Sequence, residues 1–145
     1  MTLYVMDTDH LSLFQRNHPI VVSRVFTARK RPSDELATTV VSMEEQLKGR
    51  LAQVSKASSS GSLVLSYTRR KTPFEIFSNI NVLDYSADAD ARFRTFRKSG
   101  VRIGTQDLRI ASIVLAHGGV LLTRNLRDFE KVTELMVQDW SIEAS

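Results

Sequence analysis

Short apolar runs alternate along the chain with longer stretches in which apolar residues recur every three or four positions. The short runs are rich in Val, Leu and Ile, which is typical of strands that are buried on both faces of a sheet. Five such runs predict strands, at positions 3–6, 36–41, 80–83, 120–122 and 135–137.

The longer stretches predict helices between these strands. Asp9 is a candidate N-cap for a helix over 9–14, and Pro19 suits the first turn of the next helix. A third helix, starting at Ser42, would bury one face made of Met43, Leu47, Leu51 and Val54. Further helices are predicted over 63–77, with a break near Pro73, over 87–98, closed by Gly100, and over 105–116, closed by Gly118 and Gly119.

This alternation of strands and helices predicts the fold class. Parallel strands need a long crossover connection, and a helix is the usual one. We therefore expect an α/β fold with three layers (α/β/α) around a central, mainly parallel sheet of about five strands. The chain length of 145 residues predicts a single domain over 1–145. In such sheets functional groups gather at the carboxyl ends of the strands.

Composition excludes several classes of protein. The chain has no cysteine, so a disulfide scaffold, a thiolate zinc site and a cysteine nucleophile are all ruled out. No apolar run approaches the roughly 18 residues of a transmembrane helix, and the N-terminus lacks the pattern of a signal peptide. We expect a cytoplasmic protein with no membrane partner.

Acidic residues follow the predicted strands at the positions where functional groups are expected. Asp7, Glu45 and Asp128 come after the first, second and fourth strands, and Asp107 opens the helix before the fourth strand. Each has a structural alternative: Asp7 as an N-cap or turn residue, Glu45 in a capping box with Ser42, Asp107 opposite a helix dipole and Asp128 in a local turn. Spacing alone leaves Glu44 open as an alternative to Glu45.

If the strand ends are adjacent, four carboxylates share one cleft. Like charges at such distances cannot all stay ionised without help, so either their pKa values rise or a divalent cation lies among them. A set made only of oxygen ligands suits Mg²⁺ or Mn²⁺ rather than zinc. The formal net charge of +4 adds a hint of a polyanionic partner, since basic residues attract a phosphate backbone.

Four segments in order resemble the PIN-domain nucleases, and more narrowly the VapC-type toxins of bacterial toxin–antitoxin pairs. They are VMDTD at 5–9, TTVVSMEEQLKG at 38–49, GTQDLRIASIVLAHG at 104–118 and LLTRNLRDF at 121–129. Gln46 stands where many relatives have leucine, whereas Gly49, four residues after Glu45, fits the family spacing and favours Glu45 over Glu44.

The resemblance implies a metal-dependent endoribonuclease that uses Mg²⁺ or Mn²⁺ and leaves a 5′-phosphate and a 3′-hydroxyl. It also implies an RNA substrate, a small antitoxin partner and a homodimer. The residues that it implies are Asp7, Glu45, Asp107 and Asp128 as catalytic metal ligands, Thr8, Asp9, Ser42, Thr123 and Asn125 as hydrogen-bonding supports, and Arg109, Arg124 and Arg127 as phosphate contacts.

Other functions remain open at the level of sequence. Asp7 and Asp9 form an Asp-x-Asp pair after an apolar strand, as in haloacid-dehalogenase-type phosphatases, although Leu11 stands where that family usually has Thr or Val. A non-catalytic RNA-binding domain of PIN-like fold is a second alternative, and a housekeeping RNA-processing enzyme rather than a toxin is a third.

Overall fold

The computed structural model describes residues 1–56, 61, 64 and 80–143, and all that follows concerns these residues. The predicted helix over 63–77, with its break near Pro73, lies outside them except for residue 64. The side chain of Val54 also lies outside the described part. In the described part no helix is both long and apolar enough to cross a lipid bilayer.

Five parallel strands form one sheet, which confirms the predicted fold class. The central strand β1 (Thr2–Met6) pairs with β2 (Asp34–Thr39) on one side and with β4 (Val120–Leu122) on the other. The edge strands are β3 (Asn81–Leu83) and β5 (Met136–Gln138), giving the order β3-β2-β1-β4-β5. The connections reverse direction between β1 and β4, which is where open α/β sheets place their ligands.

Helices cover both faces of the sheet. In chain order they are α1 (Thr8–Gln15), α2 (Pro19–Arg29), α3 (Val40–Lys56), α4 (Ala87–Lys98), α5 (Thr105–Ala116) and the single turn α6 (Leu126–Phe129). Val5 and Met6 on β1 point into different cores because side chains alternate along a strand. The Val5 core contains residues of α3, α4 and α5, and the Met6 core contains residues of α1 and α2 together with Trp140.

Several element predictions are confirmed to the residue. Helices α4 and α5 have the bounds expected from sequence. Gly100 follows α4 with a φ of +93°, a backbone conformation that glycine adopts without strain, and Gly118 follows α5 with a φ of +66°. His117 occupies the C-cap of α5, where its backbone N–H bonds to the carbonyl of Ile113.

Two helix starts were predicted wrongly. Helix α1 starts at Thr8 and is capped by Asp7, not by Asp9. Helix α3 starts at Val40, not Ser42, because the Thr39 side chain caps it by accepting the backbone N–H of Ser42 at 3.1 Å. The strand before it therefore ends at Thr39 rather than at 41.

The predicted core face of α3 also needs correction. Leu51 is 48% exposed, whereas Val41, Ser42 and Gln46 are buried. Val41, in the first turn of the helix, is buried in the core that also contains Val5. The segment 123–129, predicted as a loop, contains the helical turn α6.

Candidate active site

Asp7 leaves the end of the central strand and is held there by the backbone. Its N–H donates to the carbonyl of Leu122 at 3.0 Å, and the Thr38 hydroxyl donates to the carbonyl of Met6 at 2.9 Å. The Asp7 side chain is buried, and its Oδ1 accepts the backbone N–H of His10 at 2.7 Å. Asp7 is therefore the N-cap of α1, but this role uses only one of its two carboxylate oxygens. The second oxygen, Oδ2, has no hydrogen bond to the described residues and stays available to a ligand.

Glu45 is not part of a capping box. It is the sixth residue of α3, whereas a capping box needs the glutamate at the third, and that place belongs to Ser42. Instead the Glu45 Oε1 accepts a hydrogen bond from the Thr8 hydroxyl at 2.8 Å, which ties α3 to the start of α1 beside Asp7. Glu44 is exposed and pairs with Lys48 at 3.1 Å, so it is Glu45 that faces the strand ends.

Asp107 lies in the first turn of α5 and is half-buried. Burial is the main reason why its pKa is raised above the usual value for an aspartate. The carboxylates of Glu45, Asp7 and Asp128 raise that pKa further, in that order of effect. The pKa of this one carboxyl therefore responds to the charges of the other three, as expected if all four acids share one cleft.

Asp128 lies in α6, just after β4, with support from its own loop. The Asn125 side-chain amide donates to Asp128 Oδ2 at 2.9 Å, and the Lys131 ammonium lies 3.9 Å from Oδ1. The Thr123 hydroxyl accepts the N–H of Asn125 at 2.9 Å, which fixes the turn between β4 and Asp128.

The donor set fits a hard divalent cation. Among the described residues no lysine or arginine forms an ion pair with Asp7, Glu45 or Asp107, and the repulsion that raises the pKa of Asp107 is left uncompensated. Ca²⁺, Mg²⁺ and Mn²⁺ prefer carboxylate oxygens, and a cation here would remove that repulsion.

A second possible metal group consists of Asp7, Asp9 and His10, whose ligand atoms lie within 4.8 Å of one another. Two contacts argue against it. The Asp9 carboxylate is bound at both oxygens by Arg124, at 2.6 and 2.8 Å. The Nε2 of His10 accepts the backbone N–H of Trp140 at 3.0 Å, so the ring proton belongs on Nδ1.

This proton placement makes His10 a neighbour of the acids and not a metal ligand. His10 Nδ1 is buried without a hydrogen-bond partner and lies 3.6 Å from Asp7 Oδ1. A protonated Nδ1 has no lone pair for a metal ion. Sequence reasoning missed His10, although its place three residues after Asp7, on the first turn of α1, was a usable signal.

The residues predicted to support the acids by hydrogen bonding differ in what they contact. Thr8 and Asn125 contact acidic residues directly, at Glu45 and Asp128. Ser42 and Thr123 are buried and act on the backbone and on Thr39 rather than on a carboxylate. Asp9 is bound by Arg124, so it is not free to act as the general acid that a haloacid-dehalogenase-type phosphatase would require.

The three predicted phosphate contacts are not equivalent either. Arg124 is engaged by Asp9, and Arg109 donates to Gln106 at 2.8 Å while stacking over the ring of Phe93. Arg127 is exposed and makes no hydrogen bond or ion pair with the described residues. Of the three, Arg127 is the one whose guanidinium is free for a phosphate.

Known proteins resemble this chain over almost its whole length. Ribonuclease VapC1 of Haemophilus influenzae is 29% identical over 141 residues, which cover 96% of this chain and 98% of that protein. The 2.2 Å structure of VapBC-1 from nontypeable Haemophilus influenzae superposes with a TM-score of 0.77 at 26% identity, covering 97% of this chain and 100% of the other. The chain is similar in sequence and in fold to the VapC ribonucleases.

A shorter similarity covers part of the chain. The tRNA(fMet)-specific endonuclease VapC of Shigella flexneri is 37% identical over 68 residues, which are 44% of this chain and 52% of that protein. No protein-family model matches the sequence. The evidence for similarity to VapC proteins therefore consists of individual sequence matches and of the shared fold.

Proposed function

We propose that this protein is a metal-dependent endoribonuclease that hydrolyses RNA phosphodiesters and serves as the toxin of a toxin–antitoxin pair. The carrying observation is the raised pKa of Asp107, caused by burial and by the carboxylates of Glu45, Asp7 and Asp128. These acids come from four separate segments of the chain, and the effect of three of them on Asp107 supports the proposal that they form one site. The resemblance to VapC ribonucleases supports RNA as the substrate.

In this proposal Asp7, Glu45 and Asp107 hold Mg²⁺ or Mn²⁺, with Asp128 beside them. A cation held by these residues would supply positive charge opposite the phosphodiester and would make water a better nucleophile. The chain's own groups prepare that site before the substrate arrives. Thr8 orients the Glu45 carboxylate, Asn125 orients Asp128, and the backbone N–H of His10 fixes one oxygen of Asp7. The products carry a 5′-phosphate and a 3′-hydroxyl.

The biological setting is part of the same proposal. Solved proteins of similar fold include VapBC-5 from Mycobacterium tuberculosis, a member of the VapBC family of toxin–antitoxin systems. We propose a small antitoxin as partner, a homodimer as the assembly, the cytoplasm as the location and a single PIN-like domain over 1–145. Expression of the chain alone should then arrest growth, and co-expression of a protein encoded next to it should relieve that arrest. Growth unaffected by the active chain would favour a housekeeping RNA-processing role instead.

The decisive experiment incubates the purified protein with total RNA and maps the 5′ ends that appear. Cleavage should require Mg²⁺ or Mn²⁺, stop in EDTA and leave ends that a ligase specific for 5′-phosphates can capture. RNA binding that is unchanged by EDTA, with no cleavage at any protein concentration, would instead indicate a non-catalytic RNA-binding domain.

A further inference from the structure

A polar groove extends from the acidic cluster between α1 and α3. Its volume is about 680 Å³, and Thr8, Asp9 and Glu45 form the end next to the proposed active site. Every residue that lines it is polar or glycine. Beyond the acids the lining consists of Ser12, Gln15, Arg16, Gln46, Arg50 and Gln53, with Gly49 among them.

A pair of amides joins the two helices inside this groove. Gln15 Nε2 donates to Gln46 Oε1 at 2.7 Å, and Gln46 Nε2 donates back to Gln15 Oε1 at 3.1 Å and to the Ser12 hydroxyl at 3.2 Å. Both amide protons of Gln46 are donated in these hydrogen bonds. Gln15 keeps one N–H, and both carbonyl oxygens keep a lone pair, which are the groups that read the edge of a base.

Two arginines in the groove have no counter-charge. The side chains of Arg16 and Arg50 form no hydrogen bond or ion pair with the described residues, whereas those of Arg92, Arg94 and Arg124 each pair with an aspartate. With a helical rise of about 1.5 Å per residue, Arg50 lies about 7 Å along α3 from Glu45, and Arg16 lies about 12 Å along α1 from Thr8. A chain of phosphates that passes the acids would meet these guanidinium groups next.

We infer that the groove between α1 and α3 holds the RNA strand on one side of the cleavage point. Arg16 and Arg50 bind its phosphates, and the paired amides of Gln15 and Gln46 face a base. This inference rests on the proposed ribonuclease function. No apolar side chain lines the groove, and unpaired cations beside neutral amides match a single nucleic-acid strand.

The test uses a labelled single-stranded RNA and protein carrying Asp7→Asn, so that the strand stays intact while it is bound. Adding Arg16→Gln and Arg50→Gln should raise the dissociation constant on the order of tenfold and flatten its salt dependence, with the slope of log K against log salt falling by about 1.4 for two lost phosphate contacts. In the background with Asp7 intact, the same two changes should raise KM and leave kcat within a few-fold.

The matched control removes two charges far from the groove. Lys30→Gln with Arg31→Gln lowers the net charge equally, but these residues follow α2 and precede β2, at the amino edge of the sheet. A drop in affinity equal to that of the groove variant would mean that only the overall field attracts RNA, and the inference would be wrong.

A second variant fills the groove without removing charge. A Cβ at Gly49 would meet nothing within 4 Å, and its backbone is helical, so Gly49→Phe puts a ring into the groove without a clash at its root. It should weaken RNA binding while thermal stability holds or rises, because glycine is a poor helix former. Gly49→Ala is the small control, which should bind RNA like the parent.

The outcomes separate this inference from the proposed function. A parent protein that cleaves RNA, with groove variants that bind it like the controls, overturns the groove alone. A parent protein that neither binds nor cleaves RNA overturns both. Unchanged RNA affinity together with lost binding of a synthetic acidic peptide would assign the groove to a protein partner and reject RNA as its occupant.

Discussion

Thr8 and Glu45 are joined across two helices by a hydrogen bond of 2.8 Å from hydroxyl to carboxylate. The residues are 37 positions apart in the chain, and the bond forms because α1 and α3 both leave the carboxyl edge of the sheet from neighbouring strands. The other oxygen of Glu45 accepts no hydrogen bond from the described residues. The bond thus sets the orientation of a carboxylate that the proposed mechanism needs.

Loss of this bond should damage the site more than the fold. Thr8→Val keeps the shape of the side chain but removes the donor, and we expect metal affinity to fall roughly 10- to 100-fold, as is usual when the partner of a ligand is lost. Thr8→Ser, which keeps the hydroxyl, is the control. Titration calorimetry with Mn²⁺ measures the affinities, and equal values for Val and Ser would disprove the orienting role.

Asp7→Asn should abolish metal-dependent cleavage without unfolding the protein. The asparagine oxygen still accepts the N–H of His10, so the cap of α1 survives while the negative charge is lost. In EDTA the melting temperature should equal or exceed that of the wild type, because repulsion with Asp107 is relieved. Wild-type cleavage by this variant would refute the assignment of the site.

Asp107 makes stability depend on pH in the absence of metal. Its folded-state pKa is raised, so the folded state favours the protonated carboxyl and loses that stabilisation as pH rises through the folded pKa. Asp107→Asn should therefore melt at a higher temperature than the wild type at neutral pH in EDTA. The two proteins should converge below the usual aspartate pKa. Thermal melts across a pH series measure this, and a constant difference at all pH values would contradict it.

A core substitution next to Asp107 provides the contrast. Leu108 is fully buried, so Leu108→Ala should lower the free energy of unfolding by about 2–5 kcal/mol. Activity should fall only in proportion to the folded fraction, since the side chain touches none of the chemistry. Denaturant titration and cleavage assays on the same sample separate the two effects, and a loss of kcat in fully folded protein would point to a direct role.

Much of the fold follows from local patterns. The five apolar runs became five strands because continuous Val, Leu and Ile suit a sheet covered on both faces, and α4 and α5 have strong amphipathic patterns with clear ends. The start of α3 was missed because its β-branched run, Thr38 to Val41, suits a strand equally well. The hydroxyl of Thr39 decided the boundary by capping the helix.

The candidate site was only partly readable for a related reason. Asp7, Glu45, Asp107 and Asp128 could be named because each follows a strand or opens a helix. Their partners could not be ranked, because a contact such as that of Asp9 with Arg124 joins positions 115 apart and depends on how β1 and β4 lie side by side. The assignment of the four acids as metal ligands stays a prediction until the variants above are measured.

Trp140 connects the segment after β5 to the proposed active site through His10. Its ring lies against Tyr4, its backbone N–H holds the imidazole of His10, and that imidazole borders Asp7. A change that moves Trp140 away from β1 would release the imidazole from this hydrogen bond, and we expect it to lower the activity of the proposed site without touching its acids. Changing Trp140 would therefore offer a route to a less active protein that leaves Asp7, Glu45, Asp107 and Asp128 untouched.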